Sequence, residues 1–370
     1  MGKCQICHTQ SPLISSQLRV CLNCIRTKPE PSLNITDKIH AETRAHFGLP
    51  PKPPNDDSGL FCGVCANNCR IGVGKKGYCG LVENKEGKLA RYGGTPEKGI
   101  LSWYYDNLPT NCVAWWFCPG CTGAGYPKYA YTPHAETGYY NLAVFYGSCS
   151  LDCLFCQNWH YRKHAAQLQP VVSAQELAEK VDEKTSCICY FGGDPASQMP
   201  HSLKTSQLAL QKAEENKRVL RVCWETNGYM NPRLADQAAE LALKSGGNIK
   251  FDLKTWNENL NKALCGTSNQ PTLETFKVIG TRYYGKRAEL PVLTASTLLI
   301  PGYVDREEIE KIAKFIAKIN PEIPYTLLAF YPQYVMNDLP TTNRKQATEC
   351  LETAKRYLTN VRIGNMHLLS

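Results

Sequence analysis

From Asn141 onward, short apolar runs alternate with longer amphipathic stretches. The runs are Leu142 to Tyr146, Cys187 to Phe191, Val219 to Trp224, Ile249 to Leu253, Val292 to Ile300, Thr326 to Phe330 and Val361 to Ile363. Each has the length of a strand. Near-continuous apolar strands are those buried on both faces of a parallel sheet. Between them, Pro232 to Lys244, Asp305 to Ile319 and Thr342 to Leu358 carry helical spacing. Ser173-Ala-Gln-Glu176 and Asp305-Arg-Glu-Glu308 have the form of capping boxes, and Pro232 suits a first helical position. Strands alternating with helices predict an α/β fold with a mainly parallel sheet. Six or seven such units fit a partial (β/α)6-type barrel whose functional loops follow the strands.

Ahead of Asn141 the pattern is less regular. Residues 1–30 form a cysteine-paired module, followed by a predicted linker at Pro29-Glu-Pro31 and a helix from Asn34 to Phe47. Gly48-Leu-Pro50-Pro51-Lys-Pro53-Pro54 reads as a stiff second linker. A second cysteine module occupies 55–92. An aromatic-rich connecting segment without a clear period occupies 93–140, with Trp115, Trp116 and a dense set of tyrosines. The barrel is expected over 141–335 and a C-terminal extension over 336–370.

Composition adjusts this picture in two ways. Apolar residues make up 43% of the 370, ordinary for a folded domain. No run approaches the ~20 residues of a membrane span, and the N-terminus has no signal-peptide core. A cytoplasmic protein with no membrane partner is expected. The net charge of +9 comes from 42 basic and 33 acidic residues without a like-charge block. A solvated basic surface accounts for it, and it does not by itself call for nucleic acid. The 19 cysteines fall in pairs and triplets and are odd in number, which favours metal sites over disulfides.

The most informative of these is Cys149-x3-Cys153-x2-Cys156, directly after the run Leu142 to Tyr146. Three thiolates from one short loop can hold three irons of a four-iron cluster and leave one open, since most such clusters take four. Structural zinc prefers two pairs. Gly192-Gly193-Asp194-Pro195 follows the next strand, Glu225-Thr-Asn227-Gly228 the one after, Asp252-Leu-Lys254 the fourth, and Ile300-Pro301-Gly302 the fifth. Glycines after a strand let backbone approach a ligand closely. Taken singly, each of these is an ordinary strand-end turn.

In this order the motifs resemble the radical S-adenosylmethionine (SAM) superfamily, in the branch similar to pyruvate formate-lyase activating enzyme. The resemblance covers Asn141 to Phe330, with further likeness at Leu328 to Tyr334 and Ile363 to Leu368. It implies a [4Fe-4S] cluster on Cys149, Cys153 and Cys156, with SAM chelated at the open iron and cleaved to a 5′-deoxyadenosyl radical. It further implies SAM contacts from Phe155, Gly192, Gly193, Asp194, Glu225, Asn227, Asp252, Lys254 and Pro301. Asp194 stands where the family usually has Glu.

Two more cysteine sets read as metal ligands. Cys4, Cys7, Cys21 and Cys24 have the x2…x2 spacing of a zinc ribbon. Cys62, Cys65, Cys69 and Cys79 form a compact loop with interleaved glycines, suited to zinc, one iron or a second cluster. Its string from Cys65 to Gly80 resembles the module ahead of the barrel in the same branch. Cys118-Pro-Gly-Cys121 is either a third metal pair or a redox pair. Cys187, Cys189, Cys223, Cys265 and Cys350 read as small core residues.

The resemblance implies hydrogen abstraction from a polypeptide C–H, with a one-electron reductant such as ferredoxin or flavodoxin as partner. Its most specific form is C-methylation of a protein residue, a glutamine of methyl-coenzyme M reductase being the candidate, with cobalamin as methyl carrier. The chain lacks an Asp-x-His-x-x-Gly cobalamin motif. Alternatives are a glycyl-radical activase, a tRNA-modifying enzyme and a non-catalytic metal scaffold.

Overall fold

The computed structural model describes residues 1–110 and 112–370. Its centre is a nine-stranded sheet built from β1 (Gly99–Asn107), β2 (Tyr140–Tyr146), β3 (Val171–Val172), β4 (Thr185–Gly192), β5 (Arg221–Thr226), β6 (Ile249–Asp252), β7 (Leu293–Leu299), β8 (Tyr325–Ala329) and β9 (Val361–Gly364). Strands β2 and β4 to β9 lie side by side in chain order and are all parallel. The seven apolar runs of the sequence became these seven strands. The architecture is the expected α/β partial barrel.

The period of two within each strand sorts residues between two environments. Ile188, Tyr190, Val222, Trp224, Ile249 and Phe251 are fully buried, on the face covered by helices such as Pro232–Ser245 and Gln270–Tyr283. The alternate residues Phe145, Phe191, Glu225, Asp252, Leu298 and Leu328 line a cleft inside the barrel.

Local signals set the helix starts. Ser173 and Glu176 form a reciprocal capping box, at 3.1 and 2.7 Å. Asp305 caps Arg306–Ile319 through Glu308 N–H at 3.0 Å. Glu308 does not close the box. Its buried carboxylate accepts from Trp256 N–H, Asn257 N–H and Arg26.

One expectation needs correction. Pro29-Glu-Pro31 is not a linker but the first turn of the helix Pro29–Ala45, where a missing N–H costs nothing because first-turn donors have no intrahelical partner. The segment 93–140, which has no clear period in the sequence, holds regular structure. It contains β1, antiparallel to β2, and the two-residue β3 extends the sheet from β1. After β1 the chain turns into the barrel, pinned by the buried Arg221–Glu136 pair at 2.6 Å and by Thr326 Oγ1 donating to the Val113 carbonyl at 2.9 Å. The last strand, β9, pairs with β8, so the chain's C-terminal stretch continues the sheet.

The N-terminal module docks on the start of the helix Arg306–Ile319. Arg26 pairs with Asp305 and Glu308, and Tyr303 Oη donates to the Val20 carbonyl at 2.9 Å. Among the described residues no helix is long and apolar enough to cross a membrane.

Candidate active site

The loop from β2 to the helix Tyr161–Gln167 carries Cys149, Cys153 and Cys156 into a cleft of about 410 Å³ at the C-terminal ends of the strands. The cleft is also lined by Phe155, Gly192, Gly193, Asp194, Glu225, Asn227, Asp252 and Lys254. These residues come from four successive strand ends, so the parallel sheet brings together what the sequence spreads over more than a hundred positions. Pro301 is the exception. It is not among the lining residues, and the turn it opens lies against the N-terminal module: a Cβ on Gly302 would stand 2.1 Å from the Leu13 carbonyl oxygen.

Close backbone approach explains the glycines. Gly193 N–H donates to the Tyr146 carbonyl and Asp194 N–H to the Ser148 carbonyl, both at 2.8 Å. A Cβ at Gly193 would stand 2.2 Å from Ser148 O. Gly192 has φ +103° and would meet Tyr146 N at 2.3 Å. The Gly-Gly-Asp segment is thus zipped onto the start of the cluster loop.

Asp194 is buried and works inward. Its carboxylate accepts from Ala196 N–H, Thr226 Oγ1 and Asn227 N–H, at 2.7, 2.9 and 2.6 Å. Burial pushes its pKa up to about 6 against the pull of those donors. Asn227, so held, donates from Nδ2 to Cys149 Sγ at 3.5 Å and to Ser150 Oγ at 3.1 Å.

Opposite lie two further carboxylates. Asp252 pairs with Lys254, whose ammonium stands 5.9 Å from the Phe155 ring centroid. Burial draws the Lys254 pKa down, but the Asp252 charge outweighs it and holds the amine protonated. Burial raises the Glu225 pKa, with Lys250 opposing. Glu225 Oε2 makes no hydrogen bond, and Lys250 Nζ is 3.6 Å away.

Sequence reasoning missed several contributors. Tyr104, Phe145 and Phe191 stack across β1, β2 and β4, with centroids 5.7 and 5.4 Å apart, forming one wall of the cleft. Lys250, inside the barrel, faces Cys112 Sγ at 3.6 Å and Cys189 Sγ at 4.0 Å. Asp152, between two cluster cysteines, accepts from Arg162 at 2.6 Å and is 2.9 Å from His40 Nδ1. A lone lysine within an apolar strand was the only signal for the second of these. Cys118 and Cys121 lie on one short turn and are not among the residues lining the cleft, Cys121 donating to the Thr110 carbonyl.

The metal-type cysteines differ in spacing. Cys4, Cys7, Cys21 and Cys24 have all four sulfurs within 4.8 Å of one another, and Cys7 and Cys21 are 3.7 Å apart. That fits one tetrahedral ion, whose ligands at ~2.3 Å stand about 3.8 Å apart. Among the described residues no other group of three or more Cys, His, Asp or Glu is so tight. Cys62, Cys65, Cys69 and Cys79 are not so tightly gathered and line a small cavity of their own.

The site therefore defines an α/β barrel enzyme with a thiolate triplet at the rim, a glycine cradle beside it and, at Glu225, a buried carboxylate oxygen that is ion-paired to Lys250 but accepts no hydrogen bond. These features suit an iron–sulfur cluster and a ligand rich in hydroxyl and amine donors. Comparison with known proteins agrees. Residues 143–316 match the Radical SAM superfamily. A protein of Methanocaldococcus jannaschii, provisionally named a glycyl-radical enzyme activating enzyme, is 31% identical over 216 residues, 58% of this chain and 76% of the relative. An uncharacterized protein of the same organism is 25% identical over 322 residues, 84% of this chain and 83% of the relative. The SAM-bound structure of Streptococcus suis SuiB aligns over 60% of this chain and 49% of its own, at 15% identity and a TM-score of 0.44. The chain belongs to the radical SAM superfamily.

Proposed function

We propose that this radical SAM enzyme abstracts a hydrogen atom from a polypeptide, and that glycyl-radical activation is its best-supported form. The observation that carries the reading is the convergence of Cys149, Cys153 and Cys156 with the Gly192–Asp194 and Glu225–Asn227 strand ends in one cleft. The name of the 31%-identical relative supports the activase form. No observation favours cobalamin-dependent C-methylation or methyl-coenzyme M reductase over it.

The cluster and SAM, when bound, supply a 5′-deoxyadenosyl radical. The protein's own residues orient and shield. In this reading Cys149, Cys153 and Cys156 ligate three irons, and Asn227 donates to the Cys149 sulfur. The Gly192–Gly193 backbone receives the amino-acid end of SAM. Glu225, whose buried Oε2 faces Lys250 but accepts no hydrogen bond, accepts from ribose hydroxyls. Phe155, with Lys254 over its ring, takes the adenine, and Asp252 keeps Lys254 in place. The Tyr104, Phe145 and Phe191 wall narrows the cleft and excludes water around the reacting carbon.

The test uses a perdeuterated cell extract divided into protein, RNA and small-molecule fractions. Each is incubated with reconstituted enzyme, SAM and a reductant. Deuterium should enter 5′-deoxyadenosine only with the protein fraction, in a protease-sensitive way, and a persistent glycyl radical should appear by electron paramagnetic resonance. Transfer that depends on RNA would overturn the polypeptide reading. Transfer from protein that leaves a methylated product and no radical would overturn the activase form alone.

A further inference from the structure

Cys118 and Cys121 bracket one short helical turn, Pro119–Thr122, in the segment that follows β1 into the barrel. Cys118 opens the turn in extended backbone, and its carbonyl accepts from Cys121 N–H and Thr122 N–H, both at 3.0 Å. Residues three apart on such a turn share a face, with their Cα atoms inside the span that a disulfide bridges. The two side chains are hydrogen-bonded to each other. Both stay partly open to solvent, whereas Cys187, Cys189 and Cys223 on the neighbouring strands β4 and β5 are buried. A reactant in solution can therefore reach this pair and not those three.

The surroundings favour an anionic sulfur over a metal ion. Arg221 is buried and pairs through both Nη atoms with Glu136, yet its Nε has no hydrogen-bond acceptor. Its Nη2 lies 3.2 Å from where a Cβ on Gly120 would stand, so the missing side chain lets the guanidinium rest against the Cys-Pro-Gly-Cys turn. A second buried cation, Lys250, faces Cys112 Sγ at 3.6 Å. Fixed positive charge stabilises a thiolate and opposes a divalent cation. Among the described residues no third Cys, His, Asp or Glu gathers with the pair within the 4.8 Å that groups the N-terminal four.

The two sulfurs are not equivalent. The hydrogen bond from Cys121 holds the Cys118 pKa down to about 6 against burial, and the charges of Arg221 and Lys250 add to it. The same bond, with burial, raises the Cys121 pKa. Cys121 Sγ also stands 3.4 Å from the Thr110 carbonyl, a second acceptor for its proton. A sulfur ionised near neutral pH beside one that keeps its proton is the division between an attacking and a resolving thiol.

We infer that Cys118 and Cys121 form a reversible dithiol–disulfide pair that exchanges with small disulfides and thiols. Cys118, as thiolate, attacks one sulfur of a small disulfide, forms a mixed disulfide and releases one thiolate. Cys121 gives its proton to that thiolate, attacks the Cys118 sulfur and releases the second thiol. The pair loses two electrons and two protons, and the small disulfide gains both. This goes beyond the proposed function and stands or falls separately from it.

The test equilibrates the full-length chain, with its metals in place, in mixtures of oxidised and reduced glutathione. Free thiols are then trapped by alkylation and the chain is digested with trypsin. Cys112, Cys118 and Cys121 share the tryptic peptide 99–128, and fragmentation assigns each one. The peptide should pass reversibly from three alkylated cysteines to one, with Cys118 and Cys121 joined. Cys121→Ser should trap glutathione on Cys118, and Cys118→Ser should trap it on Cys121 at least ~10-fold more slowly, because the thiolate fraction limits attack. Both thiols staying free across the mixtures, a disulfide to Cys112 instead, or alkylation blocked by a retained metal ion would each overturn the inference. If the serine variants do not fold, the parent's peptide decides alone.

Discussion

His40 Nδ1 stands 2.9 Å from the Asp152 carboxylate, so the N-terminal helix Pro29–Ala45 is tied directly to the loop between Cys149 and Cys153. The same carboxylate accepts from Arg162 at 2.6 Å, and Arg44 is 3.9 Å away. All four side chains are nearly or fully buried. Burial acts to raise the Asp152 pKa, but the His40 hydrogen bond and the charges of Arg162 and Arg44 hold it far below the usual carboxylate range.

Removing this anion would leave buried guanidinium charge uncompensated. Asp152→Ala should destabilise the fold by about 3–5 kcal/mol and lower the iron bound at Cys149, Cys153 and Cys156. Denaturant unfolding and iron analysis check this. A variant within 1 kcal/mol of the parent, by the ~0–1 kcal/mol standard of surface pairs, would show that the cluster of charges is not structural.

The glycine cradle makes a steric prediction. Gly193→Ala puts a methyl group 2.2 Å from a backbone carbonyl rather than a flexible side chain, so β4 must part from the cluster loop. SAM affinity should fall at least ~10-fold, in the range seen when groups supporting a metal site are lost, while the tight Cys4, Cys7, Cys21, Cys24 site keeps its metal. Equilibrium dialysis with labelled SAM measures the first, and metal analysis the second.

Asn227 links two ligands of the reading, through Asp194 on one side and Cys149 sulfur on the other. Asn227→Ala removes the side-chain donor to the Cys149 sulfur, leaving the Leu151 N–H donor at 3.4 Å and all three thiolates in place. We expect cluster content near that of the parent and 5′-deoxyadenosine formation slower by about 10–100-fold, with a shifted cluster potential. Unchanged potential and rate would remove Asn227 from the site's working parts.

His201 offers a pH test. Burial lowers its pKa to about 4, against a bond to the Val172 carbonyl. An unfolded histidine protonates near 6.5. The neutral ring therefore contributes stability that is whole above about pH 6.5 and is lost as pH falls toward 4. The full loss is on the order of 3 kcal/mol. His201→Gln should flatten the decline relative to the parent across that window. Parallel stability curves for the two proteins, measured in denaturant from pH 7 to 4.5, would contradict this.

Much of the site was legible because its residues sit at strand ends, and strand ends are marked in sequence by glycine and by the end of an apolar run. Cys149, Gly193 and Glu225 each followed such a run, and Asp252 stood at the end of one. What was not legible depends on pairing between distant segments. Asp152 lies 112 residues from His40, and nothing local marks the pair. Strand β1 was hidden because Trp103, Tyr104 and Tyr105 put bulky side chains on both faces and blur the period of two. Pro29 looked like a linker because the same residue serves a helix start. Pro301 follows a strand as the others do, yet its turn meets the N-terminal module instead of the cleft.

The central claim is that Cys149, Cys153 and Cys156 form the SAM-cleaving site. The most direct measurement is 5′-deoxyadenosine formation by the anaerobically reconstituted chain with SAM and a strong one-electron reductant, beside Cys153→Ser. The parent should produce it, and Cys153→Ser should reduce it to background while the capacity of Cys4, Cys7, Cys21 and Cys24 to bind a metal ion is unchanged. Continued formation by Cys153→Ser, or none by a parent whose cluster is fully assembled, would contradict the account.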